Sequence, residues 1–435
     1  MSDYIDRDEL IKHVKDLPTW WEDGGGVYGP PMKYPEGLFY PEDVIASIEN
    51  APAADVQKIK HGKWMKDDSD GCYCSVCKWY ADYDYDYVTN NGLGNDDFNY
   101  CSHCGAKMDG GNWMKIVNTH TGKIYIDPER KLEFLTVGDY GKENNIKANF
   151  LGLYKEINGV ENTEVDLSKK WVATISTQKG CPMRCKFCDC PQFGYHGDAT
   201  IDDLVYEVQT ILQNEAITTT DRFNVHFARM GEPTFNFAVL DFADNILKPL
   251  VGQYINAKTI HPVVSTMLPK SNKRLEEFIL RWCDIKNERY NGEAGLQFSI
   301  NSTDDEQRNN QFSGMSLNLD EISMLAAKLP VPKGRKYTLN FAVTADTVLD
   351  AKRLSMLFDK NKFIVKITPI HETKSAITNG FDVTTSYTDY DVYRKFEQPL
   401  VAEGWNVIVF VPSKEEDGDR ITCGNALISA MTQNR

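Results

Sequence analysis

A chain of 435 residues exceeds what one ordinary hydrophobic core accommodates, so two or three domains are expected. Hydrophobic residues at 41% and charged residues at 26% describe a globular protein in water, and no run approaches the roughly 20 apolar residues a membrane helix needs. The acidic start MSDYIDRDEL is unlike a secretory signal, which gives a cytoplasmic expectation, and the net charge of −15 argues against strong non-specific attraction to nucleic acid.

In chain order, residues 1–60 carry an amphipathic helix pattern (Asp6 to Leu17), a Gly/Pro-rich loop (Gly24 to Pro35) and a second helix pattern (Pro41 to Asn50). Residues 61–110 hold five of the eleven cysteines, and Cys74-x-x-Cys77 and Cys101-x-x-Cys104 are two knuckles separated by a hairpin-sized insert. Paired CxxC knuckles are the spacing of a structural zinc ribbon, with iron as the alternative metal. Cys72 reads as a spare and His103 as a surface residue. Asp82 to Tyr87 alternates acid and tyrosine, which suits an exposed arm or loop. Residues 111–170 read as a mixed connecting region.

From 171 to 435 the pattern becomes regular. Strands are predicted at 172–177, 223–228, 262–266, 295–300, 338–343, 363–368 and 406–411. Helices are predicted at 201–213, 274–283, 319–328, 349–358 and 390–403. Strand and helix alternating at this spacing predict an α/β fold, a partial (βα) barrel with a parallel sheet, its chemistry in the loops after the strands.

The first such loop contains Cys181-Pro182-Met183-Arg184-Cys185-Lys186-Phe187-Cys188. Three thiolates spaced CxxxCxxC on one loop can hold three irons of a 4Fe-4S cubane and leave the fourth iron open. S-adenosylmethionine (SAM) can chelate that position through its amino and carboxylate groups. The competing readings are a zinc site with Cys190 as fourth ligand, for which Cys188-Asp189-Cys190 is an awkwardly tight spacing, and a chance cluster. Lys169, Lys170, Lys179, Arg184 and Lys186 gather around the loop, as a solvated rim or as an RNA-facing patch. Cys283, in a helical pattern, reads as a small buried hydrophobe.

Over about residues 158–430 the sequence resembles the radical SAM ribosomal and transfer RNA adenine methyltransferases. The resemblance rests on STQKGCPMRCKFC, then Met230-Gly231-Glu232-Pro233, Val264-Ser265-Thr266, Ser299-Ile300-Asn301 with Asp304 to Arg308, Thr368-Pro369-Ile370-His371, and Asp417 to Gly424 around Cys423. It implies that Gly231 and Glu232 line the SAM amino group and that Ser265, Ser299, Ile300 and Asn301 hold its ribose and methionine portions. His371 stands where the family usually has asparagine against the adenosine. Glu161 matches the family's proton-accepting glutamate, with Glu164 as competitor. Cys423 matches the cysteine that accepts a methyl group before the carbon is added to an adenine. The same resemblance implies an RNA substrate and a flavodoxin- or ferredoxin-type electron donor.

The sequence departs from this pattern at two places. The family's second cysteine, which releases the product by forming a disulfide, corresponds to Thr174, and Cys190 is the candidate replacement. The family's helical RNA-binding domain is replaced by the cysteine-rich unit, which resembles small ribbon proteins of phage and Gram-positive bacterial genomes. Two other functions therefore stay open. One is a radical SAM enzyme acting on DNA, a nucleotide or a protein; the other is a non-catalytic nucleic-acid-binding zinc-ribbon adaptor.

Overall fold

The computed structural model describes residues 61–62, 64–66, 71–84, 107–108, 114–138, 146–154, 156, 167–383 and 390–426. The helices expected within 1–60, together with Cys101, Cys104, Glu161 and Glu164, lie outside the described residues. The chain divides into two compact units, Met1–Gly111 and Asn112–Arg435.

In the first unit, strands β2 (Trp64–Lys66), β3 (Gly71–Cys74) and β4 (Tyr80–Asp84) form an antiparallel sheet. A second, two-stranded parallel pair joins β1 (His61–Gly62) to β5 (Lys107–Met108). The Cys74–Cys77 knuckle is a tight turn at the end of β3. Val76 N donates to Cys74 Sγ at 3.4 Å, and Lys78 N donates to Cys74 O at 2.9 Å. Lys78 takes φ 61°, the left-handed conformation that closes the turn.

The second unit is built on one eleven-stranded sheet. Seven strands are parallel: β10 (Trp171–Ile175), β13 (Thr219–Phe227), β14 (Asn256–Thr266), β15 (Gly295–Ser299), β16 (Tyr337–Val343), β17 (Phe363–Pro369) and β18 (Val407–Phe410). These are the seven strands expected from the sequence, and they make the partial (βα) barrel. An antiparallel meander, β6 (Lys115–Asn118), β7 (Gly122–Asp127) and β8 (Leu132–Gly138), pairs with β10 and extends the sheet. The short β9 (Ile146–Lys147) closes the other edge against β18. Residues 115–138 are therefore sheet, not merely a connection.

Side chains alternate across each strand. Phe223, Val225 and Phe227, Leu296 and Phe298, Leu339 and Phe341, and Val365 and Ile367 all join one buried core with residues of the covering helices. The alternate positions, among them Arg222, Asn224, His226, Gln297, Asn340 and Lys366, occupy the opposite, inner face. Parallel barrels normally fill that face with Val, Ile and Leu. Here it is polar.

Two of the helices open on capping boxes. Helix α1 (Ile201–Asn214) opens on a Thr200/Asp203 capping box, and α5 (Leu319–Lys328) on Asn318/Glu321. Between them lie α2 (Leu247–Tyr254), α3 (Leu275–Glu288) and α4 (Asp305–Gln311). No helix among the described residues is long and apolar enough to cross a membrane.

Candidate active site

After β10 the chain turns through Gln178–Gly180 into the cysteine loop. Gly180 has φ 84°, and a Cβ there would stand 1.8 Å from Gly194 O, so only glycine lets the two backbones meet. Cys181 N donates to Gly194 O at 3.0 Å, Lys186 N to Gln311 O at 2.9 Å, and Asp189 N to Gly424 O at 2.8 Å. The buried Asp189 carboxylate accepts from Ser375 N at 2.8 Å. The loop is thus fastened to segments that follow three different strands.

The thiols of Cys181, Cys185 and Cys188 crowd one another. Burial pushes the Cys181 and Cys185 thiols up, and the neighbouring cysteines push them further. Cys188 is moved the other way, chiefly by a hydrogen bond with Cys190. Mutually opposed thiolates are stabilised by a cationic core, which is what an iron–sulfur cluster supplies. Among the described residues no three His, Cys, Asp or Glu side chains converge on a single metal ion. A cubane takes its three thiolates on three different irons, so its ligands stand further apart than those of one zinc ion. Three thiols on one loop are the donor set for three irons of a cubane.

Gly231 and Glu232 follow β13 and lie against this loop. Glu232 N donates to Gln178 Oε1 at 2.8 Å. Its carboxylate is 3% exposed and accepts from Thr234 Oγ1 at 2.7 Å and Met267 N at 3.0 Å. Burial raises its pKa, the hydrogen bonds oppose this, and its charge reaches Cys181 and Cys185. A buried acid beside the cluster loop suits a ligand's ammonium group. Gly231 has φ 98°, and a Cβ would come within 2.6 Å of Gln178 Cβ. Gly231→Ala should therefore displace Gln178 or Glu232, at a cost of about 1–3 kcal/mol of local strain. The expected reading is roughly tenfold or greater loss of SAM affinity by anaerobic calorimetry. Unchanged affinity would remove Gly231 from the site.

Ser265 and Ser299 are half-buried at the ends of β14 and β15. Ile300 turns its side chain into the core and donates its N–H to Asn340 O at 2.8 Å. Asn301 is left-handed at φ 60°, and its Oδ1 accepts from Ala342 N at 3.2 Å. The residue that shapes this corner is Arg308, 1% exposed, which donates to the carbonyls of Ser299 (2.6 Å), Ile300 (2.5 Å), Met267 and Leu317 (both 3.3 Å). Burial brings its pKa down to about 9.

His371, expected against the adenosine, instead sets Nδ1 3.1 Å from Asp417 Oδ1. Asp417 also accepts from Glu372 N at 2.7 Å and from Thr422 Oγ1. Burial alone would raise the Asp417 carboxyl, but His371 and these donors hold it below its usual range. His371 thereby anchors the loop that carries Cys423.

Cys423 is exposed, and its Sγ donates to Ala228 O at 3.7 Å. Desolvation in the barrel mouth pushes its thiol up to about 11, with the Cys188 charge adding to this and Arg229 and Lys366 opposing it. Arg229, invisible as a functional residue in the sequence, donates to Arg420 O at 3.0 Å and Thr422 O at 3.3 Å, both just before Cys423 in this loop. Its guanidinium also forms a fully buried ion pair with Glu133 of β8, Nε to Oε1 at 2.8 Å. Cys190 is buried and donates to Arg229 O at 3.3 Å, the carbonyl next to the one Cys423 uses. Thr174 is half-buried in β10 beside His226. Cys283 is 0% exposed in the core, as expected.

No protein-family model matches the chain. The dual-specificity RNA methyltransferase RlmN of Wolinella succinogenes is 24% identical over 204 residues, covering 47% of this chain and 53% of that protein. RlmN 2 of Myxococcus xanthus is 27% identical over 236 residues, 52% and 57% of the two chains. A probable RlmN of Thermosipho melanesiensis reaches 35% over 88 residues, 20% of this chain and 25% of that one. The chain thus spans about half the length of the curated relatives it matches over long stretches. A solved radical SAM methyltransferase from Sphaerobacter thermophilus shares the fold, with a TM-score of 0.51 and 19% identity over 72% of this chain and 80% of that chain.

Proposed function

We propose, from the premise that this chain belongs with the radical SAM methyltransferases of the RlmN kind, that it transfers a methyl-derived carbon through Cys423, with adenine in RNA as the family-implied target. The observation that carries the reading is one juxtaposition. The Cys181–Cys188 loop, the buried Glu232 and the Cys423 loop meet at one end of the barrel, joined by Asp189 N to Gly424 O at 2.8 Å.

Cys181, Cys185 and Cys188 would hold a 4Fe-4S cluster, and Gly231 and Glu232 would face the amino group of SAM. The chemistry such a cluster would supply, when bound, is one-electron reductive cleavage of SAM. The chain's own residues do the rest. Glu232 offers a desolvated negative charge, Arg308 fixes the strand ends that would line the ribose, and Asp417, His371 and Arg229 hold the Cys423 loop in place. Glu161 or Glu164 remains the proposed proton acceptor, and zinc on Cys74, Cys77, Cys101 and Cys104 the proposed staple of the first unit.

Cys190 is proposed as the second thiol in place of Thr174. Its thiolate would attack Cys423 Sγ, forming the disulfide and leaving the bonding pair with the departing product carbon; a cellular thiol would then reduce the disulfide. The two sulfurs hydrogen-bond to the carbonyls of neighbouring residues, Arg229 and Ala228.

The test is anaerobic reconstitution with methyl-labelled SAM and peptide mass spectrometry. Label on Cys423 is expected. A bare Cys423 alongside continued 5′-deoxyadenosine formation would sink the methyl-transfer reading. Cys190→Ser should still load Cys423 but accumulate it as the covalent adduct, with turnover down at least about 100-fold if the thiol is essential. Normal turnover by this variant would clear Cys190 of the role.

A second reading, radical chemistry on a nucleotide or other small substrate, is favoured by Thr174 and by the polar inner face of the barrel.

A further inference from the structure

The cysteine loop does not leave the barrel directly from β10. The chain first forms β11 (Gln178–Gly180), passes through the cysteines, and returns as β12 (Tyr195–Asp198). These two strands make an antiparallel ribbon of their own, outside the eleven-stranded sheet, with Gln178 opposite Asp198 and Gly180 opposite Tyr195. The ribbon is the neck of the loop that carries Cys181, Cys185 and Cys188.

One side chain joins this neck to the segment after β13. Gln178 is 0% exposed, and its amide is engaged at both ends. Nε2 donates to Asp198 Oδ1 at 2.7 Å, and Oε1 accepts from Glu232 N at 2.8 Å. These partners fix the orientation of the amide, because an ionised carboxylate only accepts and a backbone N–H only donates. Asp198 is exposed on β12 and also accepts from Tyr195 OH at 3.0 Å, so the carboxylate is tethered within its own strand. Its charge strengthens the bond to Gln178.

The backbone repeats the connection. Thr177 N and Gln178 N both donate to Met230 O, at 2.9 and 3.3 Å, and Gly231 lies against the Gln178 side chain. Among the described residues no other acceptor reaches Glu232 N. A glutamine that only stabilised the ribbon would bond within it. This one crosses to the main chain of the buried acid, whose carboxylate is held in turn by Thr234 and Met267.

We infer that Gln178 is a positioning residue for the ammonium group of SAM: braced by Asp198, it fixes the main chain of Glu232, so the ribbon that closes the cysteine loop also aims the acid of the ligand site. The inference rests on the proposed function in taking Glu232 as the partner of that ammonium. It adds that the cysteine loop and the ammonium site form one mechanical unit. An exposed carboxylate outside the site then governs how well SAM is held.

Anaerobic calorimetry on the full-length, cluster-reconstituted chain, without reductant, tests this with two ligands. SAM carries the ammonium group, and 5′-deoxyadenosine lacks it. Gln178→Leu should weaken SAM by at least roughly tenfold, while 5′-deoxyadenosine binds as it does to the parent and iron content is kept. Asp198→Ala leaves Gln178 without its brace and should weaken SAM by roughly threefold or more with the same selectivity. Asp198→Asn restores an acceptor for Gln178 Nε2 and should recover the parent affinity. Equal loss of both ligands would mean that Gln178 only holds the fold. Unchanged SAM affinity in Gln178→Leu and Asp198→Ala would mean that Glu232 is set without it. Either result overturns the inference, and if Gln178→Leu loses the parent's circular dichroism the two Asp198 variants decide. A parent chain that binds no SAM overturns the proposed function together with this inference, whereas unresponsive variants overturn this inference alone.

Discussion

Cys185→Ala is expected to leave the chain with no more than a residual cluster and 5′-deoxyadenosine formation below detection. The Cys185 thiol is raised first by burial and then by Cys188 and Cys181 on either side. Its backbone carbonyl also accepts from Cys188 N at 3.2 Å, so the loop conformation does not depend on the sulfur. Removing the thiol therefore removes the proposed iron ligand without dismantling the loop. Iron and sulfide content with the electron paramagnetic resonance spectrum of the reduced protein checks this. A full complement of cluster in the variant would mean that Cys190 or another thiol ligates, and that the loop has been misassigned.

The second large effect is expected at Arg308. Arg308→Met keeps the aliphatic stem but removes the guanidinium: Ile300 O still accepts from Ser302 N at 2.7 Å and Met267 O from Ser316 Oγ at 2.6 Å, while the carbonyls of Ser299 and Leu317 lose the Arg308 donor. Each unsatisfied buried carbonyl costs about 1–3 kcal/mol. Relaxation recovers part of that sum, so the expected loss is about 3–5 kcal/mol, the range for breaking buried charged contacts. A domain with about 5–15 kcal/mol of stability would survive, though with a much lower denaturation midpoint. The same carbonyls belong to the strand ends that would line SAM, so 5′-deoxyadenosine formation should fall with the midpoint. An unshifted urea transition would show that these carbonyls find other partners.

The parallel strands were legible because their outer positions are apolar at every second residue, as in Phe223, Val225 and Phe227. Helix 319–328 was legible to the residue because Asn318 and Glu321 cap it. Helix 247–254 was not, since Pro249 and Gly252 interrupt its pattern and tertiary packing overrides them. The meander at 115–138 was passed over as connection. Its short strands alternate visibly only once the turn at Pro128 to Lys131, with Lys131 at φ 58°, is recognised.

At the site, the cysteine spacing could be read because ligand chemistry is local to one loop. Arg229 could not, because it closes the carbonyls of Arg420 and Thr422, far along the chain, and nothing near it in sequence announces those partners. His371 is read by analogy as a ligand contact, and its Nδ1 lies 3.1 Å from Asp417 of the Cys423 loop, a neighbour the sequence does not announce.

The buried pair between Arg229 and Glu133 has a practical corollary for dissection of the molecule. A fragment cut at the start of the repeating strand–helix pattern, near Trp171, would retain Arg229 and the Cys423 loop but discard β8. It would inherit a cation in an apolar interior with its counter-ion gone, at the point where the Cys423 loop is held. The smallest piece worth expressing therefore begins near Asn112, ahead of the meander. The antiparallel strands belong to the enzyme's working half as much as the barrel does.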